Sequence, residues 1–581
     1  MAFQVSPGVE VKEIDLTNVI PAVSTSIGGF AGYFRWGPLN EAILISSENQ
    51  LAKTFSKPGS DSLYCEPYFQ ADSFLRYGEA LRVVRAGTAT NYDNAVDSSD
   101  ESPQQGRGIF IPNETYFDEQ TITAFGATFA ARYPGDLGNG LDVYVIGKDQ
   151  YDEQNASPSA DALISSSIER TVVNAFDIAP DLDEVHVAIV DRAGNWSAEA
   201  NTILETYQGL SLTKDAKKAD GSANFLPTVL NKSSQYVYYV GATNASLDAD
   251  TVADNSPFGS GNQFSKKYTL AHGSSPSSLT VGEITAALDI LGDTETIDVN
   301  LLFSQIAASG AVIQNKVHEV AYKRKDAVAF LSPPLSATRG VASSTAALKA
   351  VLDFANNDIT DRGSNGSYGV IDSTSVYIYD KYNDIFRYIP ANGHMAGLCA
   401  NTDSVAEPFF SPAGFNRGGL RGVTKLAYNP KKVDRDELYK AGVNPVVSFP
   451  GQGTLLFGDK TAQSKPSAFD RINVRRLFIT LEKAISTAAK FQLFELNDEF
   501  TRATFRNAVE PFLRDIQGRR GITDFLVVCD GTNNTGEVID TNRFVADIFI
   551  KPARSINFIT LNFIATRTGV DFSEVAGLSN G

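Results

Sequence analysis

The residues of this chain that could do chemistry fall into a few groups, and each group lacks something its chemistry needs. Gly453-Thr-Leu-Leu-Phe-Gly-Asp-Lys-Thr461 has the outline of a phosphate-binding loop. Such a loop sets its lysine directly after the second glycine, so that the ammonium reaches the terminal phosphates. Asp459 stands there instead and would repel them, and Leu455-Leu456-Phe457 reads as strand. Asp530-Gly-Thr-Asn-Asn-Thr-Gly-Glu has the look of a calcium loop. A helix–loop–helix calcium site needs glycine at its sixth position and an acid at its twelfth. Thr535 and Thr541 occupy those places, so a structural turn is expected. His394 and Cys399 suggest a nucleophile pair, but their spacing puts them on different faces of a helix. His186, His272, His318 and His394 show no ligand spacing, and no Gly-x-Ser-x-Gly elbow occurs. The expectation is a protein that is not an enzyme, with no catalytic residues, metal or cofactor. A soluble enzyme with a β-rich accessory domain, its site assembled from distant residues, is the alternative.

Composition narrows the class. At 581 residues the chain is too long for one core. It is 43% hydrophobic and 20% charged, as in an ordinary globular protein. There is no apolar run of about 18 residues to span a membrane, and the opening Met-Ala-Phe-Gln-Val-Ser-Pro-Gly is not a secretory signal. Cys65, Cys399 and Cys529 are sparse and odd in number, which points to reduced thiols. A net charge of −18 argues against sequence-independent nucleic-acid binding. Yet residues 471–520 hold ten Lys/Arg against six Asp/Glu, a local net of +4. That island is either a solvated helix face or a docking surface.

The elements that must carry these residues are legible in outline. Leu477, Leu481, Ile485 and Ala488 recur with helical period, as do Phe505, Val509, Phe512 or Leu513, and Ile516. Asn497-Asp498 is a natural N-cap and Gly518 a C-cap for the second helix, which Pro511 is expected to kink or split. Phe525–Cys529, then Phe544 to Ile550, then Asn557 to Phe563 read as strands. Upstream, Ile27–Tyr33 reads as a tightly packed buried strand, Tyr68–Tyr77 as helix, Leu81–Arg85 as strand, Ala327–Leu331 as buried strand and Ser343–Phe354 as helix. Val9–Ile14 is a strand candidate with no partner nearby, which joins its own chain's sheet or a neighbour's. Residues 91–315 are turn-rich with scattered strands, and 241–281 reads as an exposed excursion. The fold class is α+β multidomain: a mixed α/β core with an inserted β-rich outer region and a C-terminal helix-pair plus β-sheet domain. The expected boundaries are an arm at 1–20, a discontinuous core at 21–90 and 316–432, the insert at 91–315, the C-terminal domain at 433–575 and a tail at 576–581.

Ile472-Asn-Val-Arg-Arg-Leu-Phe478, the Phe-rich segment around Asn497-Asp498, and Cys529-Asp-Gly-Thr-Asn-Asn-Thr535 followed by Ile539-Asp540 resemble the sheath proteins of contractile tails. Pro390-Ala-Asn-Gly-His-Met-Ala-Gly397, Ala400-Asn-Thr-Asp403, Gly442-Val-Asn-Pro445 and Ser6-Pro-Gly-Val-Glu10 match in type and order. The resemblance implies a structural subunit of a virion tail, assembled in the host cytoplasm. It implies stacked hexameric rings around a tail tube, contraction that drives the tube through an envelope, and contacts with a baseplate and a tail terminator. Partners would include neither nucleic acid nor membrane. It further implies strand exchange between subunits, through Val9, Val11 and Glu13 of the arm and Asn557, Ile559 and Leu561 near the other end. The C-terminal domain would face the tube, and Arg475, Lys483, Lys490, Arg502 and Arg506 of the basic island are the expected tube-facing residues. A sheath of a secretion-type or bacteriocin system is the nearer alternative.

Overall fold

The computed structural model describes residues 24–557 except 98–107, 120–126, 149–150, 152–166, 182, 214–215, 241–266 and 307–310, together with residue 560. Its centre is a seven-stranded sheet. The strands are β1 (Gly28–Gly32), β2 (Ala42–Ile45), β3 (Leu81–Arg85), β4 (Leu301–Ser304), β5 (Val328–Leu331), β6 (Gly369–Asp372) and β7 (Val443–Asn444). They lie in the order β7-β6-β5-β4-β1-β3-β2. All neighbours pair parallel except the edge strand β2, which runs antiparallel to β3.

A parallel sheet needs cover on both faces, and strand alternation supplies two sets of side chains. Phe30, Val83, Leu301, Phe303, Val328 and Phe330 point into one apolar layer, with α1 (Ser62–Leu75) and, further along the chain, the helix Asn392–Val405. Ala31, Val84, Leu302, Ala329 and Leu331 point into the other, with α2 (Val281–Ile290) and α3 (Ala311–Arg324). Helix Asn392–Val405 (α4) comes so close to α1 that a Cβ on Gly393 would lie 2.2 Å from the carbonyl oxygen of Gln70. The small residues of β1 have the same cause: a Cβ on Gly28 would lie 2.8 Å from both Leu81 and Phe74.

An outer region has its own core. Four antiparallel strands stand in the order Thr202–Ser211, Glu184–Asp191, Leu141–Ile146, Lys267–Thr269. Asp191 shapes the turn out of the second of these by accepting from the backbone N–H groups of Asn195, Trp196 and Ser197. Lys267–Thr269 thus lies in a sheet, inside the stretch expected to be an exposed excursion. The return to the central sheet also comes earlier than residue 316. Helix α2 already packs on that sheet and β4 stands inside it, because their apolar residues complete its two layers. In the same way α5 (Lys432–Lys440) leads into β7 of the central sheet, so the chain has not left that sheet at residue 433.

The last region is a helix pair on a small sheet. Helices α6 (Ile472–Ala489) and α7 (Glu499–Gly518) pack through Leu477, Leu481, Ala484, Phe505, Val509, Leu513 and Ile516. Strands β8 (Ile522–Val528) and β9 (Asp547–Pro552) form an antiparallel pair beneath. Asp498 caps α7 by accepting from Thr501 N at 2.8 Å. Pro511 does not split α7; the helix continues through it, since the ring faces the exposed side. Gly518 is not its cap either: the helix includes it, and Arg520 takes the left-handed conformation at φ 71°.

Candidate assembly surfaces

The outline motifs of chemistry resolve into structural roles. Gly453–Leu456 is a strand paired with Val446–Phe449, not a phosphate cradle. Asp459 is buried and accepts from Tyr439 Oη, Ser555 Oγ and Asn557 Nδ2. The Asp530 loop closes on itself, with Asp530 accepting from Thr532 N, and Asn534 donating to Val545 O. His394 and Cys399 are both buried in α4. Burial pushes the His394 imidazole down to about 3 and the Cys399 thiol up to about 12, so near neutrality the thiol keeps its proton and the neutral imidazole is too weak a base to take it. Among the described residues no cluster of three or more His, Cys, Asp or Glu could hold a metal, and no helix is long and apolar enough to cross a membrane.

The basic island is largely spent inside the chain. Arg475 is buried, its guanidinium 4.3 Å from the Tyr368 ring centre and 4.2 Å from that of Phe469. It is therefore not on the surface of this chain, contrary to expectation. The N-terminal half of α6 is enclosed between its own helix pair, which takes Leu477, and the central region, which takes Ile472, Arg475 and Ile479, and periodicity within one helix does not reveal this. Arg476, also buried, donates to Asp403 at 2.6 Å. Lys483 pairs with Asp298. Arg519 pairs with Glu407 at 3.1 Å, and Arg471 lies 3.9 Å from Asp459. These charges fasten the helix pair to the central region. Of the remaining candidates, Arg502 is half-buried and bonds Asn497, Arg506 is half-buried, and Lys490 is exposed.

Past Lys490 the chain does something composition alone did not reveal. Phe491, Leu493, Phe494, Leu496 and Phe500 are all exposed, Phe494 fully so. They form an apolar tip where α6 turns into α7. An exposed patch of this kind marks a contact surface. The signal was present in the sequence as Phe491-Gln-Leu-Phe-Glu-Leu496, an apolar run at a helix–helix connection.

The β8–β9 sheet has two strands, and among the described residues nothing pairs with either outer edge. Leu526 and Phe549 stand opposite each other on its exposed face. A two-stranded sheet is marginal alone, and its free N–H and C=O groups are a template for further strands. Val9, Val11, Glu13, Ile559 and Leu561 lie outside the described residues. Asn557 is not in a strand here; its side chain donates to Tyr439 Oη at 2.7 Å.

A multidomain α/β chain whose salient exposed features are open strand edges and an apolar tip is built as an assembly subunit. Residues 278–462 match the model of the phage tail sheath protein central domain, and residues 464–566 that of the phage tail sheath C-terminal domain. The tail sheath protein of Vibrio phage KVP40 is 33% identical over 98% of this chain and 99% of its own length. That of Enterobacteria phage T4 is 32% identical over 99% of both. The chain shares its fold with the sheath tail protein of Listeria innocua, at TM-score 0.52 and 11% identity over 92% of this chain and 97% of that one. The sheath tail protein of Desulfitobacterium hafniense gives TM-score 0.50 and 12% identity over 91% and 94%. The chain belongs to the phage tail sheath protein family: it is a structural subunit of the sheath of a contractile tail, and its place is the virion tail.

Proposed function

We propose that copies of this chain stack as six-membered rings around a tail tube and contract to drive the tube through the host envelope. Subunits would assemble in the host cytoplasm on a tube and baseplate and be closed off by a terminator, with no enzymatic step. The full-length similarity to phage tail sheath proteins carries this reading, and it favours a phage tail over a secretion-type system. The energy of contraction would then lie in contacts that are better in the short lattice, without nucleotide.

Two surfaces serve the lattice in this reading. The open edges of β8–β9 receive strands from neighbouring copies, contributed by the arm around Val9, Val11 and Glu13 and by the stretch Asn557–Leu561. The apolar tip at Phe491–Phe500, flanked by Lys490, Arg502 and Arg506, faces the tube. Negative-stain microscopy of the purified chain tests the first surface. The full chain is expected to form long tubes, and a chain lacking residues 1–16 is expected to stay folded and unpolymerised. Tubes of normal length from the truncated chain would refute strand exchange by the arm.

A further inference from the structure

A cleft of about 850 Å³ opens where α5, the loop after α4 and the segment following β9 meet. Its walls carry the aromatic residues Phe409, Phe410, Tyr439 and Phe457. They also carry Arg417, Lys432, Arg435, Arg520 and Arg554 against only Asp436 and Asp459. Asp459 is already occupied by Tyr439, Ser555 and Asn557. Arg417 bonds the Ser411 carbonyl and leans on Phe410, and Arg435 stacks near Phe449 and Phe457. Among the described residues, Lys432, Arg435, Arg520 and Arg554 have no carboxylate partner, although Arg471 and Arg519 close by do. A concave, basic and aromatic cleft on a chain of net charge −18 is suited to an acidic peptide with apolar anchors.

Such a peptide follows directly in this chain. Beyond Arg567 there is no Lys or Arg, while Asp571, Phe572 and Glu574 lie within Val570-Asp-Phe-Ser-Glu-Val575. The described chain reaches the cleft at Ala553–Asn557, and Asn557 is hydrogen-bonded to its wall. From Asn557 to Asp571 the chain spans at most about 50 Å extended, and about 20 Å as a flexible coil. A tether of that length gives an effective concentration in the millimolar range, enough to populate a weak site. We propose that the cleft is a docking site for residues 568–581 of the same chain, with Asp571 and Glu574 meeting the unpaired Lys432 and Arg435 and Phe572 entering between the rings. This goes beyond the sheath role, because it concerns the free subunit before any lattice forms.

The test uses the full chain, dilute and unpolymerised, with Asn416→Cys on the cleft and Ser573→Cys on the segment. The native Cys65, Cys399 and Cys529 are buried and do not interfere. Under mild oxidant, an intrachain disulfide is expected to form at least about tenfold faster than in a control pairing Ser573→Cys with Lys232→Cys on the outer region. Added salt, Arg435→Glu or Asp571→Lys should each slow it several-fold; the last leaves every residue of the cleft unchanged. Equal rates in the two pairs, links formed only between chains, or indifference to both charge changes would each overturn the proposal. Whether tubes form afterwards does not affect the result, so its failure is separable from that of the sheath reading.

Discussion

Arg476 and Asp403 form a buried ion pair at 2.6 Å that ties α6 to α4. Removing one member leaves the other charge buried without compensation, which costs about 3–5 kcal/mol. Asp403→Asn is therefore expected to lower the urea midpoint sharply, and Asp403→Leu with Arg476→Met to recover most of the loss. Arg475 carries a practical consequence: reversing its charge would disrupt the stack with Tyr368 and Phe469, so a loss of assembly in such a variant says nothing about the tube. Asp372, fully buried at the end of β6, has its carboxyl pushed up to about 7 by desolvation, despite accepting from Ser332. Between its ordinary value near 4 and pH 7 the folded state keeps a proton that the unfolded state has released. That contribution to stability is complete below pH 4 and is lost as pH rises to 7. Asp372→Asn should remove this falling component, read as the difference between the two proteins' stability–pH curves. An unchanged difference across pH 4–7 would show that Asp372 is ionised throughout.

At the scale of elements, α7 tolerates Pro511 because the carbonyl it leaves unbonded, that of Asn507, lies on the exposed side. Pro in a helix interior is less favourable than Ala by about 3 kcal/mol. Pro511→Ala is expected to raise stability by on the order of 1–3 kcal/mol, measured by denaturant unfolding; no gain would mean that a bend in α7 is needed for packing on β8. In the outer region, replacing 241–266 with a short Gly/Ser linker should leave thermal unfolding unchanged. Extending the replacement through residue 281 removes Lys267–Thr269 from the outer sheet together with buried Tyr268 and Leu270, and should lower Tm.

For the whole molecule, the balance of charge and exposed apolar surface decides how copies meet. The exposed tip contributes nothing to this chain's own core, so Phe494→Ser with Leu496→Ser should leave Tm unchanged and weaken assembly on tubes. Assembly at wild-type yield and length would remove the tip from the tube contact. Raising salt should weaken this contact little, since exposed charge pairs are worth only about 0–1 kcal/mol each and the apolar term is not screened.

Local signals were enough for much of the chain. The cap at Asp498, the buried face through Phe505, Val509 and Ile516, and the helix beginning after Ser343 follow from side-chain chemistry within a few residues; the choice between Phe512 and Leu513, which periodicity left open, falls to Leu513 in the packed helix pair. The small residues of β1 and the turn at Asp530 were equally plain. Family membership was legible because ordered motifs run the length of the chain. Tertiary structure alone decided which charges face outward. Arg475 lies in the first turn of α6 and Lys490 just past its last residue, in one basic run, and only the packing of the central region against the first half of α6 buries the former and leaves the latter exposed. The same holds for the sheet boundaries: β4 is a short apolar run and β7 only Val443-Asn444, and their membership of the central sheet depends on parallel pairing with strands far away in sequence. The basic cleft is likewise assembled from segments more than a hundred residues apart, a juxtaposition that periodicity and composition, which act over a few turns of chain, do not encode.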